Sequence, residues 1–193
     1  MTTKGQWLFT ELTPEERSPA ELYARREDEL CRDKPWAVHL GGTSLENNIV
    51  GAYGMWAVRR HFDLNQIPYE IGQWGGLFEF RVPVLGTIDV KTKRVNTQPH
   101  PNYVVDLREL HLNHQVNHFL FCYWLEPIVI ILGWLEKSIF LEKAIPLKVG
   151  ESNRGPGGYV FVCQEPCRIL AIKHLQPFSS LITNTKGIQV SLL

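Results

Sequence analysis

The stretch LFEFRVPVLGTIDVKTKR, residues 77–94, has the pattern of a β-hairpin whose two strands each carry one apolar and one polar face. Apolar and polar side chains alternate on both sides of a central turn, which is the period of a half-buried strand. Because burial fixes the register of such strands, we expect their apolar residues to point to one side: Phe78, Phe80, Ile88 and Val90. The turn is predicted at residues 84–86, with Gly86 in the left-handed conformation.

The polar face of this hairpin carries two carboxylates and a lysine. By parity Glu79, Asp89 and Lys91 share that face, and the predicted turn sets Glu79 opposite Lys91 and diagonal to Asp89. Diagonal neighbours lie about 7 Å apart, so both carboxylates could bind one divalent ion. Such an ion activates water and neutralises a phosphodiester under attack, while a nearby lysine stabilises developing charge. The pattern indicates a metal-dependent phosphodiesterase, and a solvated strand face with a weak Glu–Lys pair is the alternative interpretation.

Glu79, nine intervening residues and then Asp89-Val90-Lys91 resembles the acid and acid-x-lysine motif of the restriction-endonuclease-like nucleases, the P-D...(D/E)-x-K superfamily. The resemblance extends over residues 46–181. The segments that resemble the later core elements of this superfamily are 117–124, 130–135 with 137–144, 159–162 and 175–181. The resemblance implies an α/β fold with a restriction-endonuclease-like core, in which helices flank a mixed central sheet.

The same resemblance implies an enzyme that hydrolyses DNA with Mg²⁺ or Mn²⁺. Glu79, Asp89 and the carbonyl of Val90 would be metal ligands, and Lys91 would be the catalytic lysine. The helix before the hairpin usually adds a Glu in a Gly-Glu-Ala context, whereas Met55 stands in that position here. Glu46, earlier on the same predicted helix, is the candidate replacement ligand.

Two further departures from the motif keep other functions open. The first acid of the superfamily is most often an Asp after Pro, whereas this chain has Glu79 after Phe78. The helix acid is absent at Met55, and Glu70 is a second candidate, after Glu46, to replace it. A catalytically impaired nucleic-acid-binding or assembly module that retains the nuclease fold is therefore the principal alternative. A structural protein with a charged hairpin is the third.

Contacts to DNA must come from local patches, because the chain has no net charge. Arg81, Lys93 and Arg94 form such a patch at the hairpin. Gln115 is a candidate for a contact to the scissile phosphate, and the polar segment 151–158 is predicted to be a loop that contacts phosphates.

The histidines and cysteines give weaker signals. His111, His114 and His118 have the spacing of one helical face, which permits a zinc site. We favour a structural or DNA-facing role for these histidines, because no carboxylate or cysteine has the same helical spacing and a strand is predicted to begin near Asn117. Four cysteines lack the Cys-x₂-Cys run of iron–sulfur ligands, so we expect buried reduced thiols.

Length and composition favour one domain over residues 1–193. Residues 1–40 are predicted to form an N-terminal helical extension, which could serve as the contact of a homo-oligomer. The N-terminal residues contain no apolar signal segment, so a cytoplasmic protein is expected. The apolar run 119–135 holds Glu126-Pro127 and is predicted to form two strands, not a membrane span. Helices are predicted at 19–31, 45–62 and 137–145, and strands at 67–72, 77–83, 87–94, 117–125 and 128–135.

Overall fold

The computed structural model of the chain describes residues 7–31, 44–72 and 78–189, and within these ranges the fold is a mixed α/β arrangement. The described helices are α1 (Pro14–Cys31), α2 (Ser44–Leu64), α3 (Glu109–Leu112), α4 (Lys137–Lys143) and α5 (Phe178–Gln189). The described strands are β1 (Leu8–Glu11), β2 (Glu70–Ile71), β3 (Phe80–Val82), β4 (Gly86–Arg94), β5 (Val104–Arg108), β6 (His118–Leu125), β7 (Ile128–Glu136), β8 (Ile145–Leu147), β9 (Ser152–Arg154), β10 (Val160–Val162) and β11 (Cys167–Ala171).

The main sheet has six strands in the order β1-β7-β6-β4-β3-β2. Strands β4 and β6 are parallel, and the other neighbouring pairs are antiparallel. A parallel pair requires a crossover connection, which here consists of β5 and α3. Strands β5, β11 and β8 form a second sheet, and β9 pairs with β10. The predicted α/β class and the mixed sheet with flanking helices are confirmed.

Each face of the main sheet packs against a different hydrophobic core. On one face, even-numbered residues of β4 and β6 such as Ile88 and Leu120 pack with helices α1, α2 and α5. On the other face, odd-numbered residues of β6 such as Phe119 and Phe121 pack with β5, β11 and α4. We refer to these as the helical face and the mixed face of the sheet.

Helix α2 lies close to β4 because a glycine occupies the contact. A Cβ built on Gly54 would overlap Oγ1 of Thr92 on β4. Only a residue without a side chain fits there. This approach fixes the position of the first turns of α2, which border the candidate site.

The N-terminal region differs from the predicted helical extension. Helix α1 begins at Pro14, because the first capping box closes: the Thr13 N–H donates to Glu16 Oε2 at 2.8 Å. Pro19 lies inside this helix. Strand β1 precedes α1 and pairs with β7, so this region also completes one edge of the main sheet.

Other element boundaries also differ from the predictions. The strand predicted at 67–72 is reduced to β2, and the loop predicted at 151–158 contains β9 and a short 3-10 helix, Pro156–Gly158. The apolar run 119–135 forms β6 and β7, as predicted. Among the described residues, no helix combines the length and the apolar character needed to cross a membrane.

The hairpin forms where it was predicted, but its register differs by two residues. Phe80 pairs with Ile88 and Val82 with Gly86. Glu79, the residue before the first paired one, is therefore level with Asp89 and not with Lys91. The turn comprises residues 83–85. Gly86 has φ 80° as predicted, and Val84 also has a positive φ, 78°. The loop is therefore one residue earlier than the sequence suggested.

One apolar residue of the hairpin was assigned to the wrong face. Phe80 and Ile88 are fully buried on the helical face, as predicted. Phe78 is half-buried and packs against the core of the mixed face. It lies before the first residue of β3, where strand alternation does not apply.

Candidate active site

A cleft of about 670 Å³ opens beside the mixed face of β4. Its walls come from β4, β5, β10 and the first turns of α2. Glu79 and Lys91 line it. Two of the three predicted catalytic residues therefore border a concave surface, which is where binding and catalytic groups are usually found.

Asp89 is the buried centre of this site. Its side chain is only 2 % exposed, and Lys91 Nζ donates to Asp89 Oδ1 at 2.8 Å. The Glu79 carboxylate accepts a hydrogen bond from the Val90 N–H at 2.8 Å through Oε2. The structure thus brings Glu79, Asp89 and Lys91 together, although the hairpin register differs from the predicted one.

The two carboxyl groups titrate in opposite directions. Burial and the adjacent Asp89 carboxylate raise the pKa of Glu79 well above its ordinary value. Burial is the largest effect on Asp89 and acts to raise its pKa, but the Lys91 ammonium together with the contacts from His114 and Glu79 outweighs burial, so the pKa of Asp89 is lowered. The pair therefore favours one negative charge over two, and a divalent cation would allow both groups to ionise.

Two histidines complete the site. His111 Nδ1 lies 3.4 Å from Lys91 Nζ, and His114 Nδ1 lies 3.6 Å from Asp89 Oδ2. Burial and the Lys91 charge lower the pKa of His111 to about 3, so its ring is neutral at physiological pH. No local pattern in the sequence indicates this placement, because it depends on how the crossover through β5 and α3 returns to the sheet.

The three histidines do not share a helical face, in agreement with the strand predicted at 117–125. Helix α3 ends at Leu112, and His118 is the first residue of β6. Its ring packs edge-on against Trp134, at a centroid distance of 5.2 Å, within the helical face. His118 therefore lies on the other side of the sheet from Asp89.

The residues present fit a hard divalent ion. Asp89 Oδ2 is buried and has no hydrogen-bond partner among the described residues, which leaves one carboxylate oxygen available as a ligand. Within the described ranges, no group of three or more His, Cys, Asp or Glu side chains is already arranged to hold a metal. Mg²⁺ does not require one, since it is usually held by one or two carboxylates, waters and substrate phosphates.

The candidate replacement ligand Glu46 is not among the residues that line the cleft. It is exposed on the first turn of α2, and the α2 residues that line the cleft are Asn47, Asn48, Val50 and Gly51. Met55, in the position of the superfamily's helix acid, is 1 % exposed in the helical core. The polar α2 side chains at the cleft are therefore amides and not carboxylates.

The predicted DNA contacts have different surroundings. Arg94 is exposed at the end of β4 and lines the cleft. Lys93 also lines it, but its ammonium pairs with Asp106 at 2.7 Å and lies 4.7 Å from the ring centre of Phe161. Arg81 is exposed over the ring of Phe78, on the hairpin.

Gln115, the candidate contact to the scissile phosphate, is not among the residues that line the cleft. Its side chain is exposed, and its backbone carbonyl accepts a 3.4 Å hydrogen bond from Thr87 Oγ1. In the polar segment 151–158, Arg154 is exposed on β9.

The cysteines whose side chains are described are buried free thiols, as expected for Cys122, Cys163 and Cys167. The Sγ atoms of Cys163 and Cys167 are 3.4 Å apart. The side chain of Cys31 lies outside the described part of the chain.

Comparison with known proteins adds no family assignment. Neither a scan against protein-family models nor a search of curated proteins finds a significant match to this chain.

Proposed function

We propose that this chain is a metal-dependent DNA endonuclease that hydrolyses phosphodiester bonds at Glu79, Asp89 and Lys91. The observation that carries the proposal is the state of Asp89. One oxygen of this buried carboxylate is held by Lys91, the other has no hydrogen-bond partner within the described ranges, and Glu79 lies beside it. Perturbed carboxyl groups at a cleft are typical of a catalytic metal site.

The order of elements supports a restriction-endonuclease-like core. A helix, α2, precedes an antiparallel hairpin, β3 and β4, and the hairpin carries the acid and acid-x-lysine motif. A crossover then leads to β6, and β7 runs directly into α4. These elements lie where the sequence resembles the superfamily.

The residues of the chain have separable tasks. When bound, Mg²⁺ or Mn²⁺ would supply Lewis-acid activation of water and neutralise charge on the phosphate. Glu79, Asp89 and the Val90 carbonyl would hold the ion. Lys91 is fixed by Asp89, so its ammonium can donate to an attacking water or to a phosphate oxygen.

A catalytically impaired nucleic-acid-binding module with the same fold is the second candidate. Met55 in the core and Asn47 and Asn48 at the cleft favour it, because they leave fewer carboxylates than the superfamily usually has. Such a module would bind DNA without cutting it.

Incubation of the full chain with supercoiled plasmid and Mg²⁺ or Mn²⁺, beside an EDTA control, tests the proposal. We expect cleavage that EDTA stops. Lys91→Ala should lower the cleavage rate by about 10²–10³-fold, the usual effect of removing a group that stabilises transition-state charge. Lys148→Ala, which changes an exposed lysine outside the cleft lining, is the matched control and should cleave normally.

Metal affinity and the unfolding transition are measured for the same variants. Cleavage by Lys91→Ala at the wild-type rate would remove Lys91 from the mechanism. DNA binding without cleavage in either metal would favour the impaired module.

A further inference from the structure

Two buried polar atoms of the site face one another without a hydrogen bond. Asp89 Oδ2 and His114 Nδ1 are both enclosed, and neither has a hydrogen-bond partner in the described part of the chain. They are 3.6 Å apart, which is slightly longer than a hydrogen bond and within the distance of an ion pair when the imidazole is protonated. A buried carboxylate needs a compensating charge, so either a protonated His114 or a cation bound by both atoms satisfies this pair.

The separation matches two ligands of a single ion. Donor atoms that each lie about 2.1 Å from one metal are about 3.0 to 3.6 Å apart when their bonds form an angle of about 90 to 120°. A neutral imidazole with its proton on Nε2 offers a lone pair at Nδ1. Asp89 Oδ2 offers a second lone pair at the required distance.

The backbone around His114 holds the ring in place. Its carbonyl accepts a hydrogen bond from Lys137 Nζ at 2.6 Å and one from the Val116 N–H at 2.9 Å. The ring of His111 packs edge-on against that of His114, at a centroid distance of 5.1 Å. A fixed donor is what a metal ligand needs, because supporting contacts orient it.

We propose that His114 is a metal ligand, which with Asp89 makes a mixed nitrogen and oxygen site that prefers Mn²⁺ to Mg²⁺. This inference rests on the proposed function and specifies the ion that the site takes. Mg²⁺ requires hard oxygen ligands, whereas an imidazole nitrogen favours first-row transition ions.

Pulsed electron paramagnetic resonance of Mn²⁺ bound to the full chain tests the ligand without reference to activity. We expect coupling to a directly bound histidine nitrogen in the wild type. Labelling histidine with ¹⁵N should replace the ¹⁴N signal. The coupling should disappear in His114→Gln and persist in the matched control His174→Gln, which changes an exposed histidine outside the cleft lining. It should also persist in His111→Gln, which tests whether the neighbouring ring is the ligand.

Calorimetric titration of Mn²⁺ and Mg²⁺ gives a second readout. His114→Gln should lower the Mn²⁺ affinity by at least about 10-fold, because even the loss of a group that only orients a ligand costs about 10- to 100-fold. The Mg²⁺ affinity should change less. If this variant does not fold, ¹⁵N labelling of the wild type and of His111→Gln still decides the question. Coupling that survives in His111→Gln supports His114.

The outcomes separate the two proposals. Mn²⁺ binding and DNA cleavage without histidine nitrogen coupling would overturn the role of His114 and leave the nuclease intact. Coupling that disappears in His111→Gln but persists in His114→Gln would also overturn it. A wild type that binds neither ion would overturn both.

Discussion

At the middle of strand β4, its two faces bury residues of opposite chemistry. Ile88 and Val90 on the helical face are 0 % and 4 % exposed, and Asp89 between them is 2 % exposed. An apolar side chain is stabilised by such burial, whereas a carboxylate is destabilised unless partners compensate. The mixed face supplies a lysine and two histidines as partners. Asp89 is therefore as buried as its apolar neighbours, and the polar residues around it lie on the mixed face.

The largest effect is expected where the helical face is closest packed. In Gly54→Ala, the new Cβ meets Thr92 Oγ1, so α2 and β4 must separate. Overpacking of this kind typically destabilises a protein by about 1–3 kcal/mol. Gly51→Ala is the matched control in the same helix, because a Cβ there has no described neighbour within 4 Å. It should stabilise the protein by about 0.5–1 kcal/mol through helix propensity.

Chemical denaturation of both variants measures these changes. The double variant Gly54→Ala/Thr92→Ala should recover part of the stability, because the overlap with Oγ1 disappears and the close approach to the Thr92 Cβ, 2.9 Å, remains. Equal stability of the two single variants would show that α2 does not approach β4 this closely.

A smaller effect is expected on the mixed face, in the affinity for DNA. Since the chain has no net charge, binding rests on a few phosphate contacts. Lys93→Ala/Arg94→Ala should weaken binding to unrelated sequences and reduce the slope of log affinity against log salt by about one for each phosphate that is no longer neutralised. The slope is measured with Ca²⁺ in place of Mg²⁺, to support binding without turnover.

The pairing of Lys93 with Asp106 sharpens this experiment. The two single variants should change the salt slope by different amounts. Lys93 must give up its 2.7 Å ion pair with Asp106 to bind a phosphate, whereas Arg94 is exposed. Arg94→Ala should therefore alter the salt slope more than Lys93→Ala. An unchanged slope in the double variant would place the DNA path away from this hairpin.

The same two faces show what the sequence could and could not predict. The register was wrong by two residues, yet Glu79, Asp89 and Lys91 still meet, because a shift of two preserves which face a strand residue occupies. Phe78 was assigned to the wrong face because strand alternation was extended beyond β3. Alternation therefore predicts faces only where a strand exists.

The histidines show the limit of local patterns. His111 and His114 reach Lys91 and Asp89 through a crossover that pairs β5 with β11, far along the chain. No spacing within one segment encodes that contact. A carboxylate was sought at helical spacing from the histidines in the sequence. In the structure, the carboxylate near His114 is Asp89, which lies on β4.

The smallest effect is a pH dependence that belongs to the helical face. His61 on α2 makes a 2.8 Å hydrogen bond to Thr10 Oγ1 of β1, and burial together with Arg60 lowers its pKa below the ordinary value of about 6.5. As pH falls below that value, the unfolded chain takes up a proton at this residue before the folded chain does. The contribution of His61 to stability is therefore complete above about pH 6.5 and decreases as pH falls toward the folded pKa.

The variant His61→Gln removes this titration and retains a polar side chain near Thr10. The free energy of unfolding, measured at pH 7.5 and 5.5, should fall more in the wild type than in this variant, because only the wild type can take up the proton at position 61. The buried His111 contributes equally to both proteins, so it cancels in the comparison. An identical fall in both would show that His61 has the same proton affinity folded and unfolded, and the helical face would then contribute no pH dependence through this residue.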